Sequence, residues 1–199
     1  MKVALEGHLV LNTDQTDPSK TVTVDIPATA AVSNHSSCNV TDSTNGNATS
    51  QVLVLVWTDP DPDFPEEGLA RNLTLVFRVN TTMNMYGVSK ISGVYTLRSY
   101  NETDPRTNKT EMVRDLISFT TFNMYTMKFT VALNKSFTCI QLGSVSMEAE
   151  LHKSTEHPLD PGLKLANAIL TLNTVQLDAF RDVTVPHGVF QTPSSCAYP

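Results

Sequence analysis

The chain has little of what announces a nucleic-acid binder, a membrane span or a catalyst. Lys and Arg number 14 against 20 Asp and Glu, for a formal net charge of −6 and a pI near 5.3, and no basic stripe interrupts the 199 residues. Phosphate backbones are gripped by clustered cations, so nucleic acid is excluded as a partner. The longest unbroken apolar run is six residues, 52–57, where a bilayer-spanning helix needs roughly twenty. A signal peptide is missing too: Met1, Lys2 and Val3 mimic a basic start, but Glu6, Gly7 and His8 break any apolar core. The expectation is a stretch of chain separated from its signal and its anchor.

Patterns that carry chemistry are as scarce. The five histidines, His8, His35, His152, His157 and His187, are scattered, and neither H-x-x-x-H nor C-x-x-C occurs, so no zinc site is expected. There is no G-x-S-x-G elbow and no glycine-rich phosphate loop. Asp59, Asp61, Asp63, Glu66 and Glu67 gather on one proline-rich segment, not on the two facing walls a glycosidase uses. They lack the glycine and spacing of an EF-hand and read as a solvated acidic turn, with weak Ca²⁺ binding as the lesser alternative. No catalytic residue, metal ligand or cofactor is expected, and the chain is read as no enzyme. Three cysteines are too few for a knottin-like scaffold, and the odd count leaves one without a partner.

What is present is alternation. Residues 3–11 place Val3, Leu5, Leu9 and Leu11 at a period of two, and residues 21–26 do the same with Val22, Val24 and Ile26 before Pro27 stops them. Residues 33–50 are almost wholly Ser, Thr, Asn and Gly and read as an exposed loop. Residues 51–57 form the most apolar strand, read as central and covered on both faces. Three prolines prevent residues 58–68 from pairing. Residues 72–79 alternate cleanly, with Leu73, Leu75, Phe77 and Val79 inward and Asn72, Thr74, Val76 and Arg78 outward. Residues 83–100 read as one bent strand or two short ones broken by Gly87 and Gly93, 101–110 as a polar loop, and 111–118 as a short helix or turn. Strands follow at 125–133 and 145–151, then a loop at 152–162, one or two strands within 163–180, and a last one at 183–190. One all-β domain covering residues 1–199 is the preferred reading.

The strongest positive signal is N-x-S/T. Asn34, Asn39, Asn47, Asn72, Asn80, Asn101, Asn108 and Asn134 each begin such a sequon without an intervening proline, eight in all. Chance would supply about three. Asn72, Asn80 and Asn134 lie on the outward parity of their strands, where a sugar can reach water. The stretch FTVALNKSFTC, 129–139, joins a strand, a sequon and a cysteine within eleven residues. In an oxidising compartment Cys139 and Cys196 are expected to bridge, the alternative being two reduced buried thiols; Cys38 is then left over. Met83, Met85, Met124 and Met127 with Phe77, Phe122 and Phe129 are an apolar inventory that suits a core, or a lipid or sterol pocket.

Four segments resemble the luminal domains of the lysosome-associated membrane proteins. MKVALEGHLVLN is similar to that family's first strand, and DIPATAAVSNHSSC with Cys38 to the end of its first disulfide loop. NKSFTC, 134–139, is similar to the start of its second loop, and LDAFRD with GVFQTPSSC, within 177–196, to its closing strands and last cysteine. Where the family opens its first strand with a cysteine, Met1 stands here, and residues 152–162 lengthen the second loop. The resemblance implies a β-prism-like domain of bent antiparallel sheets, heavily N-glycosylated, with a type I anchor beyond Pro199. It also implies a place on the luminal side of the lysosomal or late endosomal membrane, and at the cell surface, with a protective, non-enzymatic role. The alternatives are a lipid- or sterol-binding or accessory domain serving a transporter or proton pump, and a cell-surface adhesion ectodomain. A homo-oligomer or a membrane-protein partner is compatible with each.

Overall fold

Alternating apolar side chains build nearly every element of the computed structural model, which describes residues 2–12, 21–41, 49–121, 128–154, 163–180, 184–186 and 189–196. Among these residues there are strands and turns and no helix. β1 (Lys2–Asn12) buries Leu5, Leu9 and Leu11 and pairs on one side with β2 (Thr21–Ile26), which buries Val24 and Ile26. Both agree with the alternation read from the sequence. Two short strands, β3 (Ala31–Val32) and β4 (Ser37–Thr41), lie along β5 (Thr49–Asp59), and β4 falls within the 33–50 span expected to be loop. Polarity misled there, because edge strands need backbone partners more than apolar side chains.

β5 is also more one-sided than its run of apolar residues suggests. Leu53 and Leu55 are buried, while Val52, Val54 and Val56 are half-buried on the opposite face. Its pairing with β6 (Leu69–Asn80) extends to Thr58↔Ala70 and Asp59↔Leu69, so the prolines end the strand two residues later than expected. β6 keeps the inward and outward sets read from its sequence.

The chain then runs through two strands of 19 residues each, β7 (Met85–Thr103) and, later, β10 (Ser136–Ser154). Neither Gly87 nor Gly93 breaks β7. Gly93 is a point of close approach: a side chain there would collide with the carbonyl oxygen of Asn72 and the ring of Phe119. β8 (Thr110–Thr120) replaces the expected helix or turn. It buries Val113, Asp115, Ile117 and Phe119 at a period of two, and the charge of Asp115 hid that period. The Asp115 carboxylate accepts a 2.6 Å bond from Nε of Arg98, whose side chain is largely exposed.

β9 (Lys128–Ala132) turns tightly into β10, and β11 (Leu163–Asp178) is one continuous strand. Residues 122–127 and 155–162, which include Met124, Met127, Phe122 and most of the expected 152–162 loop, lie outside the described residues. The described part of the last expected strand, 184–186 and 189–190, is turn and irregular chain. The closing strand is instead β12 (Pro193–Ser195), which runs parallel to the start of β10.

The strands form one open sheet in the order β2-β1-β11-β10-β8-β7-β6-β5-β3, with β4, β9 and β12 attached to β5, β7 and β10. β7 and β10 make the bend. β7 pairs with β9 through its first turn of chain and with β8 from Ser92 onward, and β10 pairs with β12 first and with β8 from Glu148. Irregularities in register at 96–98 in β7 and at 140–143 and 147–149 in β10 allow one strand to serve both arms. The two arms bury one apolar cluster, with Leu9, Leu170 and Val175 from one side and Leu73, Phe77 and Ile91 from the other.

Candidate functional site

The candidate site is a surface, and the hairpins set most of it. Asn134 occupies the turn between β9 and β10 with φ 66°, and Asn108 the turn between β7 and β8 with φ 53°. Asn tolerates this left-handed conformation better than most residues, so the same side chain that offers a sequon also suits the turn. Both are exposed. Amides close each turn, Lys135 N–H to the Ala132 carbonyl at 3.3 Å and Asn108 N–H to the Asp104 carbonyl at 2.8 Å.

Asn34 is exposed in the turn after β3, and Asn101 is exposed on β7 opposite Met112. Asn80, half-buried at the end of β6, accepts at Oδ1 from the Met83 amide at 3.0 Å. Asn72 is half-buried on the outward face of β6, where its Oδ1 accepts from the Val94 amide at 3.1 Å. Asn39 falls in β4 with its side chain outside the described part, and Asn47 lies outside the described residues altogether. The sequons are therefore spread over several turns and strand ends and do not converge on one point.

A second feature is the corner that fastens the end of the chain. Cys139 and Cys196 form a disulfide with Cα atoms 5.2 Å apart. Cys38 lies in β4, its side chain outside the described part. Beside the bridge, the Cys196 amide donates to the Thr138 carbonyl at 2.9 Å and the Ser136 amide to the Thr192 carbonyl at 3.1 Å. Three buried polar side chains complete it. Gln191 donates from its backbone N–H to Oδ2 of Asp178 at 2.9 Å and from Nε2 to Oδ1 at 2.7 Å, while Oγ of Ser136 donates to the Gln191 carbonyl at 2.9 Å. The Tyr86 hydroxyl, between β7 and β11, lies 2.8 Å from the Lys135 carbonyl and 3.1 Å from that of Leu177. Burial, chiefly, pushes its phenol well above the ordinary value. Sequence reasoning missed Ser136, Asp178, Gln191 and Tyr86, because contacts 13 to 91 residues apart leave no local pattern.

The acidic segment is occupied with the fold. Asp59 pairs with Arg71 at 3.1 Å, beneath an aromatic series in which Tyr95 meets Trp57 at 5.3 Å and Phe119 at 4.9 Å. Glu67 pairs with Arg114 at 2.6 Å. Oδ1 of Asp61 caps the turn by accepting from the amides of Asp63 at 3.0 Å and Phe64 at 3.3 Å. Among the described residues no group of three His, Cys, Asp or Glu side chains could hold a metal ion, and no helix is long and apolar enough to cross a membrane. Phe77 belongs to the core and Met83 is 65% exposed, so these two members of the apolar inventory do not share an interior.

These features define a class of fold: an all-strand domain with an open, bent antiparallel sheet and a terminal strand pinned by a disulfide. No protein-family model matches the sequence, and no curated protein matches it significantly. Solved structures do match the fold. The membrane-proximal domain of mouse lysosome-associated membrane protein 1 is similar at a TM-score of 0.53 and 17% identity, over 98% of this chain and 86% of that one. The human lysosome-associated membrane protein LAMP-3 is similar at 0.52 and 16%, over 98% of this chain and 90% of that one. The chain has the fold of the lysosome-associated membrane protein domains, as the four resembling segments implied.

Proposed function

We propose that this chain is a non-enzymatic, heavily N-glycosylated luminal domain of a lysosomal or late endosomal type I membrane protein. Its work is physical: a disulfide-closed β-scaffold presents sugars that cover the backbone and keep proteases from the membrane beneath. The observation that carries the reading is where the sequons stand. Asn34, Asn101, Asn108 and Asn134 are exposed, and Asn72 and Asn80 sit on the outward side of β6. A sequon in a strand had an even chance of facing the core, and none of these six is buried. The shared fold and the bridge between Cys139 and Cys196, as suits an oxidising compartment, support it further. Digestion of the secreted protein with an N-glycosidase tests it: the mass is expected to fall by several glycans, and a fall of one glycan or none would overturn the reading.

A further inference from the structure

Asn72 differs from the other described sequons in its neighbours. Register places it directly between Val56 of β5 and Val94 of β7 on the outward face. The next outward row is Val54, Thr74 and Ser92, and the one beyond it Val52, Val76 and Lys90. Five valines thus share a solvent-side face that an antiparallel sheet ordinarily makes polar. Four of them are half-buried and Val94 is 38% exposed. Directly opposed residues on one face have Cβ atoms about 5 Å apart, so a group attached to Asn72 begins within contact of Val56 and Val94.

The asparagine is also oriented. Its Oδ1 is taken by the Val94 amide, which fixes the plane of the side-chain amide and leaves Nδ2, the atom that accepts a sugar, as its open end. Thr74, which completes the sequon, points to the same face. Asn34, Asn108 and Asn134 stand in turns, and Asn80 and Asn101 near strand ends, where a sugar leads away into water.

We propose that the N-glycan on Asn72 is part of the packing of this domain. The apolar C–H faces of its first N-acetylglucosamine residues lie over Val54, Val56 and Val94, and their hydroxyls face water. The glycan thereby covers this apolar outward stripe of the sheet. This rests on the N-glycosylation reading above and adds a site-specific structural role to it.

The test uses the full chain secreted from a glycosylating host, with site occupancy read by glycopeptide mass spectrometry. Thr74→Ala removes the sequon and leaves Asn72, Thr74→Ser keeps the sequon, and Asn108→Gly removes a turn sequon. Thr74→Ala is expected to lower the melting temperature by about 3 °C and to raise fluorescence of an apolar dye about twofold, with Thr74→Ser and Asn108→Gly near the parent. In enzymatically deglycosylated protein the Thr74→Ala effect is expected to vanish, which separates the sugar from the side chain. An unoccupied Asn72 beside occupied neighbours, or equal melting of Thr74→Ala and Asn108→Gly, would overturn this inference alone. A parent glycoprotein that light scattering finds as a dimer burying this face would overturn it too, because a second copy would then be the cover. Absence of sugar at every sequon would overturn the function as well.

Discussion

Removing the bridge between Cys139 and Cys196 is expected to destabilise the whole domain, not merely to release its end. The bond closes a loop with a sequence separation of 57. On the chain-entropy relation, freeing such a loop in the unfolded chain costs about 4 kcal/mol of stability. If only the tail were pinned, residues 189–196 could detach at little cost. They are held independently, however, by two bonds from Gln191 to a buried carboxylate and by the Ser136 hydroxyl. Hydrogen bonds to a charged group contribute about 1.5–3 kcal/mol each, so the tail should stay docked in the native state without the disulfide. The loss then appears in global unfolding. For a chain of this length 4 kcal/mol corresponds to a fall of about 8–16 °C in melting temperature. The measurement is calorimetry of the parent and of Cys139→Ala with Cys196→Ala, under mild reductant so that Cys38 forms no intermolecular link. A double variant melting within about 2 °C of the parent would refute the reasoning. So would fast amide exchange at residue 196 in the native variant, because it would show that the tail has no hold of its own.

Gly93→Ala is expected to destabilise by about 3 kcal/mol, since the added methyl meets the Asn72 carbonyl and the Phe119 ring between packed strands; urea denaturation reads this, and a change under about 0.5 kcal/mol would contradict it. The Asp61 carboxyl is held below its ordinary 3.8: burial opposes this, but the Ser99 side chain and the amides of Asp63, Phe64 and Ser99 outweigh it. The Ser99 hydroxyl is outside hydrogen-bond geometry, so the amides at Oδ1 make the firmer case. A depressed carboxyl contributes stability above its unfolded pKa and loses it as pH falls through the folded one. The melting difference between the parent and Asp61→Asn should therefore stay constant from neutral pH down to about 4 and narrow only below that; narrowing already between pH 7 and 5 would refute the assignment.

Much of the fold was legible because a strand writes its burial into alternate residues. β6 shows this best: Leu73, Leu75 and Phe77 could only be its inner face, and the structure buries all three. β8 was not legible, because an inward Asp115 breaks the hydrophobic period while Arg98, distant in sequence, supplies the compensating charge. β4 escaped for a related reason: Ser, Thr and Asn serve an edge well when a neighbour, here β5, provides the hydrogen bonds. Gly93 carried a signal that was read as a bend or a break in a strand and not as a point of contact between strands. On the surface, every sequon could be found by inspection, yet which one faces valines could not. That depends on register across three strands, Val56, Asn72 and Val94, drawn from separate parts of the chain.

By itself, then, the sequence determined that the fold is an all-β domain, that sequons begin at Asn34 through Asn134, and that Cys139 and Cys196 suit a bridge. Each of these depends on residue identity and local period, which survive in one dimension. Tertiary structure alone decided that β12 closes the fold parallel to β10, that Asp178, Gln191, Ser136 and Tyr86 form its buried fastening, and that the valines of β5, β6 and β7 share a face. These depend on which strands become neighbours. Neighbours are chosen by the burial of the whole apolar cluster at once, and no short segment records that choice.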